Sequence, residues 1–156
     1  MQKITACLWF DGQAEEAAEF YISVFGNGRI IDKAYYGKAG PGPEGTVMAV
    51  RFELNGQEFT GLNGGPEFHF TEAVSFQVSC KDQEETDYFW NRLSEGGEEV
   101  TCGWLKDRFG LSWQIVPDRL MELLGDPDPE RAQRAMEAML GQKKIDIEAV
   151  EKAAAG

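Results

Sequence analysis

The side chains best suited to catalysis are few in this sequence and lie far apart along the chain. There is one histidine, His69, and there are three cysteines, Cys7, Cys80 and Cys102. A cysteine nucleophile needs a general base such as histidine beside it, and no spacing here brings Cys102 and His69 together. The sequence also has no Walker, HExxH or GxSxG motif. It therefore predicts neither nucleophilic nor motif-based catalysis.

Acidic residues are abundant, but they lie where they favour folding and solubility. The chain has 27 Asp and Glu against 15 Lys and Arg, a formal net charge of -12. Pairs such as Glu15-Glu16 and Glu84-Glu85 fall at predicted helix starts, where carboxylates interact favourably with the helix dipole. An acidic surface repels phosphate backbones and anionic lipids, and no apolar run approaches the roughly 20 residues that span a bilayer. We expect no nucleic-acid or membrane partner.

The cysteine pattern favours reduced thiols. Three cysteines are an odd number, and none of them lies in a CxxC motif. This pattern is typical of cytoplasmic proteins rather than of disulfide-stabilised secreted domains. We expect a cytoplasmic location.

Patterning predicts that these residues are positioned by two successive βαβββ units. In the first unit, Asp11 is expected to cap a helix over residues 14–25, and Asn55-Gly56 predicts a tight hairpin. The Gly- and Pro-rich segment 37–45 predicts a mobile surface loop. In the second unit, Asp82 and Glu85 form a capping-box pattern before a helix that runs to about Glu95. The predicted strands cover residues 4–10, 29–36, 46–54 and 57–62, then 73–79, 100–106 and 111–116.

The two units align with each other. Glu15-Glu16 and Phe20-Tyr21 match Glu84-Glu85 and Phe89-Trp90 at one constant offset, which indicates an internal duplication. The alternative is that amphipathic helices simply resemble each other. After Pro117 the pattern predicts only helices, with Asp128 and Asp146 as N-caps. They carry an apolar stripe that we expect to pack on the sheet or across a dimer: Ala132, Ala135, Met136, Met139 and Leu140.

Several stretches spread over most of the chain carry a family resemblance. They are residues 8–17 with Phe20-Tyr21, then 59–66, 102–107, 109–114 and 126–132. With these stretches the chain resembles the PhnB-like branch of the vicinal oxygen chelate (glyoxalase/bleomycin resistance/dihydroxybiphenyl dioxygenase) superfamily. Members of this branch often carry the label 3-demethylubiquinone-9 3-methyltransferase. The sequence lacks the Gly-rich turn and βαβ crossovers of a methyltransferase, so we do not expect that activity.

The resemblance implies an α+β fold in which two βαβββ units form one glyoxalase-like open cup. The whole chain, 1–156, would be a single domain with units at 1–66 and 70–117 and a helical appendage at 118–156. The resemblance also implies a homodimer.

The resemblance further implies metal ligands at four inward positions, and here these fall near Thr5, Thr60, Ala73-Val74 and Gln114. Hydroxyls and an amide are poor ligands for a divalent transition metal. We therefore expect no metal cofactor. The alternative is a divalent metal held by an atypical set, Glu58, His69 and Gln114. For the strand at 73–79 two registers stay open, because a slip of one residue exchanges its faces.

The remaining feature of the implied cup is a cavity lined by aromatic and polar side chains. Such a lining is typical of a pocket for a small, partly apolar molecule. Phe59 and Phe76 are further candidates for its walls, whereas Trp113 is expected in the core. The alternatives are a metal-dependent lyase, isomerase or dioxygenase of the superfamily, and a structural homodimer with a vestigial cavity. The predicted ligand-binding residues are Thr5, Cys7, Trp9, Glu58, Thr60, Gln77, Cys102, Trp104 and Gln114.

Overall fold

The computed structural model describes residues 2–156, and these form two compact units that meet in sequence at Phe70 and Thr71. The first unit contains one helix and a four-stranded sheet in the order β1-β4-β3-β2, with β1 and β4 parallel and the other neighbours antiparallel. Its elements are β1 (Ala6–Phe10), α1 (Ala14–Phe25), β2 (Gly28–Tyr35), β3 (Val47–Leu54) and β4 (Gln57–Asn63).

The second unit repeats this topology and adds three helices. Its sheet has the order β5-β8-β7-β6, again with the first and last strands parallel. The predicted α+β fold of two βαβββ units with C-terminal helices is confirmed. The elements are β5 (Ser75–Cys80), α2 (Gln83–Ser94), β6 (Glu98–Glu99), β7 (Trp104–Lys106), β8 (Ser112–Pro117), α3 (Asp118–Leu124), α4 (Pro129–Leu140) and α5 (Ile147–Ala155).

In each unit the helix covers one face of the sheet; we call the opposite face the far face. In the first unit the covered face is apolar, with Phe52 stacked between Tyr21 of α1 and Phe59 of β4. Gly61 allows close packing, since a Cβ there would lie 3.2 Å from that of Ala14. Side chains on a strand alternate between faces, so the neighbours of these core residues point to the far face.

The C-terminal helices pack within the second unit. Leu120, Leu123, Ile145 and Val150 are buried together in one cluster between α3, α4 and α5. The side chain of Gln83 on α2 ties this cluster down, since it donates to the Ile145 carbonyl and accepts from the Ile147 amide, both at 2.9 Å. The predicted appendage is therefore part of the second unit's core. None of the helices formed by residues 2–156 is long and apolar enough to cross a bilayer.

The predicted caps are confirmed for three helices and wrong for α1. Asp82, Asp128 and Asp146 each accept a backbone hydrogen bond as N-cap. Helix α1 instead begins after Gln13, which makes no side-chain cap. Its first amide, that of Ala14, donates to Asn63 Oδ1 at 2.8 Å. Asn63 lies at the end of β4, so tertiary contact supplies a cap that local sequence could not indicate.

Candidate functional site

Strand pairing places the predicted residues of the first unit on its far face. Cys7 on β1 lies opposite Thr60 on β4, and Glu58 precedes Thr60 by two positions on the same face. Cys7 is exposed, whereas Thr60 and Glu58 are half-buried. Neighbouring groups still remove part of the water around the Cys7 sulfur, and this partial desolvation raises the pKa of its thiol, so the thiol is a weak nucleophile at neutral pH.

Arg51 occupies the same far face, and sequence reasoning missed it. Its guanidinium forms a bidentate pair with Asp32, at 3.0 and 2.6 Å, and lies 3.5 Å from Glu58. The hydrogen bonds from Arg51 lower the pKa of Asp32. The carboxylates of Glu58 and Asp32 are thus both paired with the guanidinium of Arg51. The sequence did carry a signal for this position. Phe52 is apolar and expected in the core, and side chains alternate along a strand, so its neighbour Arg51 must point to the opposite face.

Thr5 and Trp9 are engaged in local packing. Thr5 precedes β1, and its Oγ1 accepts from the Gln2 side chain at 3.3 Å. The Trp9 ring packs edge-on against Phe68 at 4.8 Å, and its indole nitrogen donates to the Gly65 carbonyl at 2.8 Å. Trp9 is half-buried, and its only side-chain donor is engaged.

The far face of the second unit carries a chain of hydrogen-bonded polar side chains, which we call the amide ladder. Gln77 Nε2 donates to Gln114 Oε1 at 3.3 Å, and Gln114 Nε2 donates to Ser75 Oγ at 2.8 Å. Gln77 pairs directly with Gln114 between β5 and β8. Gln77 is exposed, and its own amide oxygen has no hydrogen-bond partner among residues 2–156.

The amide ladder decides the register that the sequence left open. Ser75 and Gln77 lie on the far face, whereas Val78 and Cys80 are buried beneath α2. The uncertainty has a local cause: three residues separate β1 from α1, but only two separate β5 from α2. The constant offset of the helices therefore does not extend to the preceding strands, and one residue exchanges their faces.

Of two further predicted residues, Trp104 lies beside the amide ladder and Cys102 lies outside the strand. Trp104 on β7 pairs with Gln114 and is half-buried, so it lies beside the ladder on the far face. Cys102 is not in the strand, because β7 begins only at Trp104 and Cys102 adopts a φ of 59° in the turn before it. Its amide donates to the Gln142 carbonyl at 2.8 Å. Strand alternation therefore does not place Cys102 beside Trp104.

Ser112 was not singled out by sequence reasoning, although it shares the far face with Gln114 two residues later. Ser112 is 1% exposed, and its hydroxyl finds no hydrogen-bond partner within residues 2–156. It pairs with Ser75 and with Lys106, whose ammonium group contacts Glu72. Apart from that ion pair, the far face of the second unit is hydroxyl- and amide-rich.

The other aromatic candidates lie on the helix-covered faces of the sheets. Phe59 is buried and stacks on Phe52, and Phe76 packs edge-on against Trp113 at 5.6 Å. Both face a helix, so the expectation that they line a cavity is wrong. Trp113 lies in the core as expected and donates to the buried carboxylate of Asp107 at 2.9 Å.

The donors on the far faces do not fit a resident transition-metal ion, which prefers imidazole, thiolate or carboxylate ligands. Residues 2–156 contain no group of three or more His, Cys, Asp or Glu side chains placed to hold a metal. Gln114, where the resemblance implies a ligand, has its amide oxygen and an amide hydrogen engaged within the ladder. His69 is exposed in the segment after β4, and Glu58 faces Arg51.

Comparison with known proteins agrees with this architecture. The family model for 3-demethylubiquinone-9 3-methyltransferase matches residues 2–116. A PhnB protein from Bacillus cereus is 40% identical, with a TM-score of 0.68 over 74% of this chain and 99% of that one. No curated protein matches the chain significantly.

Two more distant structures share the fold. A protein from Pseudomonas aeruginosa is 20% identical, with a TM-score of 0.60 over 76% of this chain and 100% of its own. The fosfomycin resistance protein FosX from Mesorhizobium loti is 12% identical, with a TM-score of 0.56 over 81% and 100%. With its duplicated βαβββ topology and the family match over residues 2–116, the chain belongs to the PhnB-like 3-demethylubiquinone-9 3-methyltransferase family.

Proposed function

We propose that this protein binds a small, uncharged, partly apolar organic molecule at the amide ladder, without a resident metal ion. The observation that carries the proposal is the Ser75–Gln114–Gln77 chain, which stands beside Trp104 and ends in an unused amide oxygen on Gln77. A few convergent polar groups next to an aromatic side chain are typical of small-molecule sites.

The chemistry of the ladder favours an uncharged ligand. Amide and hydroxyl groups both donate and accept hydrogen bonds but carry no charge. The nearby ammonium group of Lys106 is already paired with Glu72, and that pairing lowers the pKa of Glu72.

Methyl transfer is not part of the proposal, in spite of the family's name. The parallel strands of each sheet, β1 with β4 and β5 with β8, are separated in sequence by a helix and two further strands. In a Rossmann-type fold, by contrast, a βαβ crossover joins adjacent parallel strands through a single helix. The topology therefore lacks the crossover of a Rossmann-type methyltransferase.

A thermal-shift screen with matched variants tests the proposal. The panel consists of phenol, catechol, nicotinamide and related neutral heteroaromatic amides. We expect at least one compound to raise the Tm of the wild-type protein and of Gln133→Ala, an exposed control glutamine on α4, but not of Gln114→Ala. No stabilising compound, or an equal shift in Gln114→Ala, contradicts the proposal.

Elemental analysis tests the metal-free part. We expect protein purified without chelator, and then loaded with nickel, zinc, manganese or iron and desalted, to retain less than one metal ion per chain. A stoichiometric metal that is lost in Gln114→Ala would overturn this expectation and favour metal-dependent chemistry on vicinal oxygens.

The homodimer and the cytoplasmic location also stay proposals. Met121, Met136 and Leu140 leave apolar surface exposed on α3 and α4, which supports self-association. Light scattering coupled to size-exclusion chromatography measures the mass directly, and a monomer at micromolar concentration would contradict the dimer.

A further inference from the structure

The first unit contains a pocket of about 480 Å³ at the end of its sheet, where β4 ends and α1 begins. This volume is within the roughly 300–1,000 Å³ of small-molecule sites. The segment 37–46 closes one side, and the Asn63-Gly64-Gly65 turn closes another. No residue of the amide ladder lines it, so the pocket is separate from the site proposed above.

The walls of this pocket are fixed by contacts between three chain segments. Tyr36 is 7% exposed, and a Cβ at Gly40 or Gly42 would lie within 2.5 Å of its ring. The Tyr36 hydroxyl donates to the Asn63 carbonyl, while the Asn63 side chain joins α1 to β3 through Ala14 and Val47. The segment predicted to be a mobile loop is therefore packed around a buried tyrosine.

The hydrogen-bond donors of these walls are largely engaged. The hydroxyl of Thr46 donates to the Pro43 carbonyl at 2.6 Å, as that of Tyr36 does to Asn63. The amides of Gly64 and Gly65 both donate to the Phe10 carbonyl, at 3.0 and 3.4 Å. The side chains of the walls chiefly offer acceptors to a ligand, the two carboxylates, and the backbone adds carbonyl oxygens.

The two carboxylates decide the charge of the ligand. Asp11 and Glu15 line the pocket, and no lysine, arginine or histidine does. Lys33 pairs with Glu15 and lies outside the lining, whereas Asp11 is exposed and forms no ion pair within residues 2–156. The net charge of -12 adds a long-range attraction for cations.

We propose that this pocket binds a small organic ammonium compound, with its charge at Asp11 and its hydrocarbon part against Pro41, Pro43 and Val47. An ammonium group donates hydrogen bonds and is attracted by negative charge, and the pocket offers both acceptors and the carboxylate of Asp11. An inorganic divalent ion is disfavoured, since Glu15 is already paired with Lys33 and residues 2–156 bring no three His, Cys, Asp or Glu side chains together to hold one. This proposal is independent of the ligand at the amide ladder.

Amide chemical-shift titration with benzylammonium, benzyl alcohol and benzoate tests the proposal. We expect benzylammonium alone to shift the amides of Gly42, Gly64 and Gly65. Asp11→Asn should weaken its binding about threefold, the scale of an exposed ion pair. Glu16→Gln, which removes the same charge from a neighbouring residue outside the lining, should leave the affinity unchanged.

Three results would overturn it. They are no shift at these glycines, equal binding of benzyl alcohol, and equal weakening by the Asp11 and Glu16 variants, which would indicate general attraction to an acidic protein. Circular dichroism of Asp11→Asn confirms folding, which we expect because Asp11 does not cap α1.

Discussion

The two units share a strand order but close their equivalent hairpins by different means. The β3–β4 turn uses backbone conformation: Asn55 and Gly56 adopt φ angles of 49° and 85°. The β7–β8 turn uses a buried carboxylate, since Asp107 accepts from the amides of Phe109 and Leu111 and from the Trp113 indole. The same topology is thus reached once through turn geometry alone and once through a turn that side-chain hydrogen bonds reinforce.

The strands explain why the second unit needs other support. In the first unit β2 and β3 have eight residues each, whereas their counterparts β6 and β7 have two and three. The second sheet therefore has fewer hydrogen bonds between its strands and less area on which a helix can pack. Helices α3, α4 and α5, anchored by Gln83, supply the additional buried surface.

Removing residues 127–156 tests this dependence most severely. The deletion removes α4 and α5, so that Leu120 and Leu123 lose their cover. We expect the second unit to lose its cooperative fold, an effect comparable to the whole stability of a small domain, roughly 5 kcal/mol or more. Aggregation in size-exclusion chromatography and loss of near-UV circular dichroism measure it. A soluble, folded truncation would contradict the comparison.

The milder Ile145→Ala variant tests the same cluster and should cost about 2–5 kcal/mol.

Replacing the two turn residues compares the hairpins directly. Asp107→Ala should lower the free energy of unfolding by about 3 kcal/mol or more, because buried donors lose their acceptor. Asn55→Ala should cost only about 1 kcal/mol, the strain of a positive φ, and Asn55→Gly should relieve that strain. Urea unfolding measures all three, and equal costs for Asp107→Ala and Asn55→Ala would remove the distinction between the turns.

Cys7 on β1 and Cys80 on β5 lie on opposite faces of their sheets, so they allow the two faces to be compared. Cys80 faces α2 with 0% exposure, and burial raises its pKa from 9.0 to about 11, whereas Cys7 is exposed on the far face. Between these two pKa values the folded state binds a proton that the unfolded state has lost. Stability should therefore fall as the pH rises from about 9 to about 11, by up to about 2–3 kcal/mol.

Chemical unfolding of wild-type protein and of Cys80→Ala across this pH range measures the effect. The alkaline loss should be smaller in the variant. With prolonged exposure at neutral pH, iodoacetamide should slowly label Cys7 in the folded protein and should label Cys80 only after unfolding. Early labelling of Cys80 would show that the face assignment of β5 is wrong.

The helix caps give the smallest expected difference. Asp82→Ala removes one local cap of α2 and should cost about 1 kcal/mol. Asn63→Ala removes the cap of α1 together with a bond to the Val47 carbonyl, and should cost about 2 kcal/mol. Thermal unfolding ranks the two variants. A smaller loss for Asn63→Ala would indicate that the tertiary cap matters less than the local one.

Local signals in the sequence predicted much of this fold. The Asn55-Gly56 hairpin, the caps at Asp82, Asp128 and Asp146, and the periodicity of the helices all act within a few residues, and each is present in the structure. The family resemblance follows from motifs of the same local kind. The strand at 100–106 was too long because its turn residues, Cys102 and Gly103, are held by carbonyls of residues 142 and 143.

The sequence by itself determined the duplicated βαβββ order, the excess of acidic residues, and the polar character of the positions where the family resemblance implies metal ligands. Only the tertiary structure decided which face each strand presents, because one residue more or less in a connecting loop reverses it. It alone also placed Asn63 at the start of α1, Arg51 beside Glu58 and the packed segment 37–46 around Tyr36. These contacts join residues far apart in sequence, and their formation depends on the pairing of whole strands.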